Sequence, residues 1–299
     1  MVNKIYQLKN NQVKKSNILI QKSKFELSAQ AQKAILYLVA QIKTSDDEFH
    51  PFQFQIEEFC QACGIDLCNG KNYQNLKNTL KSIADKYSLW VPISGEERLI
   101  RWVEEVSINQ NSGLIRIKLN RELSEHLLHL SQNFTVYELS RVLAFKSKYS
   151  IRGYELICSV HYHPEETHVH TFAVDDLRDR LGVDTNAKSY LLFKNFKNRI
   201  LNPVISEINN VSEKTIAVTE IKQGRRVVAL EFTISTKPEF FQTDIKPHHQ
   251  KTAHQNVRKN KKIWKSSNII LNSDVLSDIQ KIQTHLVPTD EEPEEPYEF

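Results

Sequence analysis

The 299-residue sequence predicts an α+β protein in which one small module is used twice and a tail follows. Three observations carry this reading: an internal duplication, the same order of helices and strands around each copy, and a change of composition after residue 236. FQIEEFCQACGID at 54–66 returns as FAVDDLRDRLGVD at 172–184, and YQNLKN at 73–78 answers to YLLFKN at 190–195. A period this long is no solenoid, whose repeats run about 20–50 residues. It is the spacing of a duplicated domain, in keeping with a chain length suited to about two domains.

Within the first copy, Ser28 is placed to cap a helix reaching about Ile42, with Ile35, Leu36, Leu38, Val39 and Ile42 on its apolar side. A short helix over 56–63 is closed by Gly64, and a third, over 73–86, spaces Tyr73, Leu76, Leu80 and Ile83 for one buried face. Strand patterns follow at 89–93, 99–108 and 114–119, the last two joined by a turn-rich NQNSG at 109–113. The second copy repeats the order: a helical stretch over 136–159, a helix over 174–181 ending at Gly182, and a long helix from Ser189. Strands over 215–221 and 227–235 then enclose a basic tip, KQGRR at 222–226. Three helices and a two-stranded wing make a winged helix, here twice. The domains are drawn at 1–130, 131–236 and 237–299, the last a mostly disordered basic linker and acidic tail with a possible short helix over 272–286.

Composition narrows the function classes. The net charge is +4, yet the last ten residues, DEEPEEPYEF, carry −6, which leaves +10 on the rest. A basic body suits a polyanionic partner. No apolar run approaches the roughly 20 residues that span a bilayer, and the N-terminal sequence lacks the apolar stretch of a secretory signal, so a cytoplasmic location is expected. Four cysteines, three of them clustered, are no disulfide framework. Seven glycines leave little room for a phosphate-cradling loop, so no nucleotide cofactor is expected.

The helix from Ser189 carries the chemistry. Phe193, Phe196, Ile200 and Val204 fall on one side and Asn195, Asn198, Arg199 and Asn202 on the other, with Lys188 joining them if the helix reaches back that far. Asn pairs bidentately with adenine and Arg with guanine in the major groove. Lys194 and Lys197 flank that face and suit phosphates. Pro203 predicts a break near Asn202. Downstream, Lys222, Arg225 and Arg226 give the wing a phosphate-binding tip. The corresponding helix of the first copy offers Lys71, Asn72, Asn75, Lys77, Asn78 and Lys81, polar but without Arg, and suits DNA-backbone contact.

LSAQAQKAILYLVAQIK (27–43), FTVYELSRVLAFKSKYSIRGYELI (134–157), YLLFKNFKNRILNPVISEIN (190–209) and IKQGRRVVALEFTIS (221–235) together resemble the iteron-binding replication initiators of theta-replicating bacterial plasmids. The resemblance covers about residues 16–236. It implies two winged-helix domains, with monomers that bind directly repeated iterons and open the origin together with the host initiator and replicative helicase. It implies homodimers, in equilibrium with monomers and formed largely through the first domain, that repress the initiator's own promoter at an operator inverted repeat. It places base contacts at Leu192, Asn195, Asn198 and Arg199, two of which, Leu192 and Asn198, are often Arg in the family. No catalytic residue and no metal is implied.

Other classes have their own signals. His161 and His163, His168 and His170, and Tyr190 with Lys194 echo the His-hydrophobe-His pair and nucleophilic Tyr of rolling-circle nickases. The first His pair, however, follows a helical pattern and abuts Pro164, which predicts exposed loop histidines instead of strand-borne ligands. Cys60, Cys63 and Cys68, with His50, hint at zinc. The duplicate of Cys63 is Leu181, which marks that position as core. A winged-helix transcriptional regulator fits the same DNA-reading residues.

Overall fold

A computed structural model of the chain describes residues 11–64, 70–86, 88–109, 111–184 and 188–240. The expectations for the tail beyond 240, for the helix over 272–286 and for Cys68 lie outside the described residues.

The described chain opens with a strand, β1 (Gln12–Ser16), whose Ser16 caps α1 (Asn17–Lys22) by accepting a hydrogen bond from Leu19 N at 3.1 Å. The next helix is α2 (Ala29–Val39), and Ser28 caps it as expected, accepting from Ala31 N at 3.1 Å. Then come β2 (Phe52–Gln55), α3 (Ile56–Cys63) and α4 (Gly70–Lys81), which runs into a wider π turn at Ser82–Lys86. Strands β3 (Ser88–Ile93) and β4 (Glu96–Arg101) form one hairpin; β5 (Val103–Asn109) and β6 (Leu114–Leu119) form another. After a short helix α5 (Ser124–Leu127), strand β7 (Phe134–Glu138) returns to pair with β1. Helices α6 (Leu139–Ala144) and α7 (Lys148–Val160) lead into the second copy.

That copy contains β8 (His168–Ala173), α8 (Val174–Leu181), a segmented helix from Lys188 described below, and the wing strands β9 (Lys214–Gln223) and β10 (Arg226–Thr236). The two three-stranded sheets have the same topology, β2-β6-β5 and β8-β10-β9. In each, the strand carrying the duplicated Phe pairs with the second wing strand: Phe54 lies opposite Ile115 and Phe172 opposite Leu230. The turn after each short helix is also the same. Gly64 and Gly182 both adopt a left-handed conformation, with φ of 66° and 67°, which favours glycine because it has no Cβ.

Several elements differ from the sequence reading. The stretch 136–159 is not one helix; its first residues are β7, where Thr135 and Tyr137 are buried and Val136 is exposed. That alternation belongs to a strand, and β1 supplies the partner. The strand expected over 99–108 is two, separated at Trp102, whose buried indole occupies the core while the chain passes from one sheet to the next. Strands β2 and β8 escape the sequence reading: β2 carries only four residues, and on β8 only Phe172 is buried, so neither shows a period.

Helix α7 is the shared centre, packing against α1, α2, β7 and α8. Ser150 to Ile157 are all buried, Arg152 and Glu155 included. Glu155 Oε1 takes Lys15 Nζ at 2.7 Å and the Tyr137 hydroxyl. Arg152 donates to Ile20 O at 2.7 Å, Ser23 O at 3.1 Å and Arg180 O at 3.0 Å. Its guanidinium therefore ties α7 to the first copy on one side and to α8 of the second on the other. Burial alone would raise the Glu155 carboxyl, but Lys15 and Arg152 overcome it and hold it below the usual carboxylate range. Removing one member of such a buried pair costs about 3–5 kcal/mol, because the other is left uncompensated.

Candidate nucleic-acid interface

The helix of the second copy expected to read bases is built in pieces. A single turn, α9 (Lys188–Leu191), ends at Leu192, whose backbone is extended at φ −72° and ψ 120°. It resumes as α10 (Phe193–Phe196), passes through a π turn at Lys197–Leu201, and continues as α11 (Asn202–Val211). The expected break at Asn202 is absent: that residue is helical at φ −61° and ψ −45°, and it does not cap a new segment. Its N–H bonds Lys197 O, five residues back, and Pro203 sits in the first turn of α11. The π turn changes the bonding register where proline has no donor to offer, so the helix passes Pro203 without ending. The break falls ten residues earlier than a helix running unbroken from Ser189 to Asn202 would place it.

Phe196, Ile200 and Val204 are buried and Phe193 half-buried, as the helical spacing requires. Asn198, Arg199 and Asn202 are exposed on the opposite side, together with Lys194. Asn195 is half-buried, and its amide donates to Ser189 O at 2.8 Å across the break. Lys197 is turned toward the wing sheet, where its Nζ meets Glu220 Oε1 at 2.6 Å. Leu191 and Leu192 are exposed, and the side chain of Lys188 lies outside the described residues.

The wing tip presents Lys222, Arg225 and Arg226, all exposed, around Gly224 at φ 62°. Two carboxylates lie among these cations. Glu220 takes Lys197 and, at 3.8 Å, Lys222; the hydrogen bond from Lys197 is the main reason its carboxyl is held below the usual range. Asp175, in the first turn of α8, takes Arg226 at 3.4 Å through one oxygen and Arg178 at 2.7 Å through the other. Arg178 is buried, donates to Leu191 O at 3.0 Å, and lies 5.0 Å from the Phe196 ring. Glu220, Asp175, Arg178 and Leu191 escaped the sequence reading. The duplication holds the signal for Arg178, since its counterpart is Cys60, a polar-for-apolar exchange at a core position.

The first copy is differently dressed. Asn75, Asn78 and Lys81 are exposed on α4; Asn78 accepts from Gln74 at 3.1 Å, and Lys77 lies 4.9 Å from the Tyr73 ring. The side chains of Lys71 and Asn72 lie outside the described residues. At the tip of its wing, the Asn109 side chain accepts from Asn111 N at 3.0 Å and Ser112 N at 3.2 Å, a neutral self-closed turn. The cations behind it are paired on the sheet, Lys118 with Glu104 at 3.2 Å and Arg116 with Glu105 at 3.8 Å.

The residues that suggested other chemistry are differently occupied. His161, expected in an exposed loop, is buried at the end of α7. Its Nε2 donates to Glu166 O at 2.8 Å, its Nδ1 faces Lys214 Nζ at 3.1 Å, and burial pushes its pKa down. A metal ion and that ammonium would compete for one lone pair. His163 follows in an exposed turn, whereas His168 and His170 stand on β8, an edge strand. Tyr190 is half-buried against the core. Cys60 and Cys63 are both buried, and burial raises both thiols, Cys60 to about 11. His50 is exposed beside Glu48 at 3.8 Å. Among the described residues no helix is long and apolar enough to cross a membrane.

Family models match both winged helices: that of the initiator replication protein WH1 domain over residues 12–158, and that of the initiator Rep protein WH2 domain over 173–234. The chain belongs to the initiator replication protein family. Among solved structures, the Pi initiator protein in complex with iteron DNA is similar in fold. It shows a TM-score of 0.60 and 20% identity over 77% of this chain and 99% of that one. Domains 2 and 3 of RctB align with a TM-score of 0.38 and 13% identity, over 69% of this chain and 80% of that one. The likeness to Pi extends the family's two-domain winged-helix fold through most of the described chain.

Proposed function

We propose that this initiator binds directly repeated iterons at a plasmid origin and helps open it for the host initiator and helicase. In this reading it works as a DNA-binding protein of the cytoplasm, without catalysis of its own, and its dimers repress its own promoter. The observation that carries it is the exposed Asn198, Arg199 and Asn202 face of the second reading helix beside the basic wing of Lys222, Arg225 and Arg226. The solved relative Pi, of the same fold, is held on iteron DNA. Asn195, Asn198 and Arg199 read bases, Lys194 and Lys197 take phosphates, and the region 1–130 grips the neighbouring backbone and supplies the dimer surface.

A footprint on the replicon that carries the gene tests this: protection of direct repeats about two helical turns apart supports it, and random protection sinks it. In binding assays Arg199→Ala removes the preference for the repeat, about 1–3 kcal/mol. Equal loss on repeat and random duplex removes Arg199 from base reading. Incubation with supercoiled origin plasmid and Mg²⁺ or Mn²⁺ gives no nicks; nicks that vanish in Tyr190→Phe establish a nickase instead.

A further inference from the structure

We infer that the break at Leu192 is a built device that presents Leu191 and Leu192 to thymine methyl groups in the major groove. The inference rests on the DNA-reading role proposed for this helix. Leu192 is 64% exposed and Leu191 53%. In an unbroken helix Leu192 would share a face with Phe196, four residues on, which is fully buried. Its sequence spacing is therefore that of a core residue, and the extended backbone at Leu192 turns it outward.

The break is anchored. It leaves the Leu191 carbonyl outside the helical ladder, because Asn195 N and Phe196 N both bond Leu192 O. Arg178 fills that vacancy from beneath, donating at 3.0 Å while held by Asp175 at 2.7 Å and lying over the Phe196 ring. A buried guanidinium shared between the Asp175 carboxylate and this carbonyl fixes the geometry of the break. Asn195 ties the same turn from the other side through Ser189 O.

What the two leucines meet follows from their surroundings. Lys194 stands beside them and Arg199 further along the same helix, both exposed. Two leucine side chains are far smaller than a stable protein interface, and a cationic rim suits phosphates. The one apolar group that the major groove offers is the thymine C5 methyl. Leu191 and Leu192 are therefore methyl readers, and Arg178 is their positioning residue.

The test begins with selection of a preferred sequence by the full chain from a random duplex library. That duplex is then remade with deoxyuridine replacing each thymine in turn, which removes only the methyl. The wild-type protein loses about fourfold in affinity at one or two adjacent positions, roughly what burying one methyl is worth. Leu192→Ala, an exposed substitution, binds thymine and deoxyuridine equally there. Arg178→Met also loses the discrimination, and Arg178→Lys, which keeps a donor, retains part of it. A selected sequence with no methyl-sensitive position, or an undiminished penalty in both Leu191→Ala and Leu192→Ala, overturns the inference while leaving the DNA-reading role intact. Failure to select any sequence overturns that role and this inference together.

Discussion

The two winged helices keep the same skeleton and differ in what points out from it. Phe54 and Phe172 occupy equivalent strands, and Gly64 and Gly182 turn the chain with the same φ. What has changed is the fixing of the helix that follows the turn. At the position where the first copy buries the Cys60 thiol, the second places Arg178, bonded to the Leu191 carbonyl at the break. The wing tips part in the same way, a self-closed Asn109 turn against an exposed Lys222–Arg226 stretch. Duplication preserved the residues that backbone geometry and the core demand, and divergence fell on those that orient and charge one surface.

The largest test of this comparison concerns the two glycines. At Gly182 an added Cβ would come 2.4 Å from Phe25 O, a backbone atom, whereas at Gly64 it would meet only the flexible end of Lys33 at 3.9 Å. Gly182→Ala should cost more than about 3 kcal/mol in urea unfolding, and Gly64→Ala only about 1–2 from its left-handed backbone. Equal losses would mean that the second turn is not pinned. Next in size is the contrast between the wings. Replacing Arg225 and Arg226 with Ala should flatten the salt dependence of duplex binding by up to about two phosphate contacts. Asn111→Ala in the first wing should leave the slope unchanged. If both wings matter equally, the division of labour fails.

A smaller effect is expected from Glu220, which occupies Lys197 and Lys222 in the free protein. Glu220→Gln should raise affinity for random duplex severalfold and narrow the margin for the preferred sequence, read by competition binding. A fall in random-duplex affinity would show that the ion pair positions Lys197 for DNA and does not withhold it. The smallest test uses pH. Burial lowers the pKa of His126 in the first copy and His161 in the second, so each favours its neutral form in the fold. Their stability contribution is present above the unfolded value of about 6.5 and is lost as pH falls through the lower folded values. His126→Asn and His161→Asn should each reduce the slope of thermal stability between about pH 6.5 and 5, leaving that of the other histidine.

Much of this architecture was legible because its signals are local. The Ser28 cap, the Gly64 and Gly182 turns and the spacing of Phe196, Ile200 and Val204 each depend on residues a few positions apart. What escaped depends on distant partners. Nothing within QVKKS announces a strand; β1 is ordered by β7, and its Lys15 is tolerated inside only because Glu155 waits there. The break at Leu192 was invisible for the same reason, since its anchor is a side chain from another helix. Pro203 misled because proline ends a helix only when no π turn absorbs its missing donor.

The bond between Lys15 and Glu155 also bears on how the chain is made. The two residues are 140 positions apart, so β1, the first strand among the described residues, is among the last to find its place. Until β7 has emerged, β1 has no strand partner, and until α7 follows, its Lys15 has no counter-ion, so the region matched as the first winged helix, residues 12–158, waits for its own far end. Nascent chains arrested before residue 155 should therefore remain open to proteases at their N-terminal end, and those arrested well beyond it should close. The first module closes only from its far end.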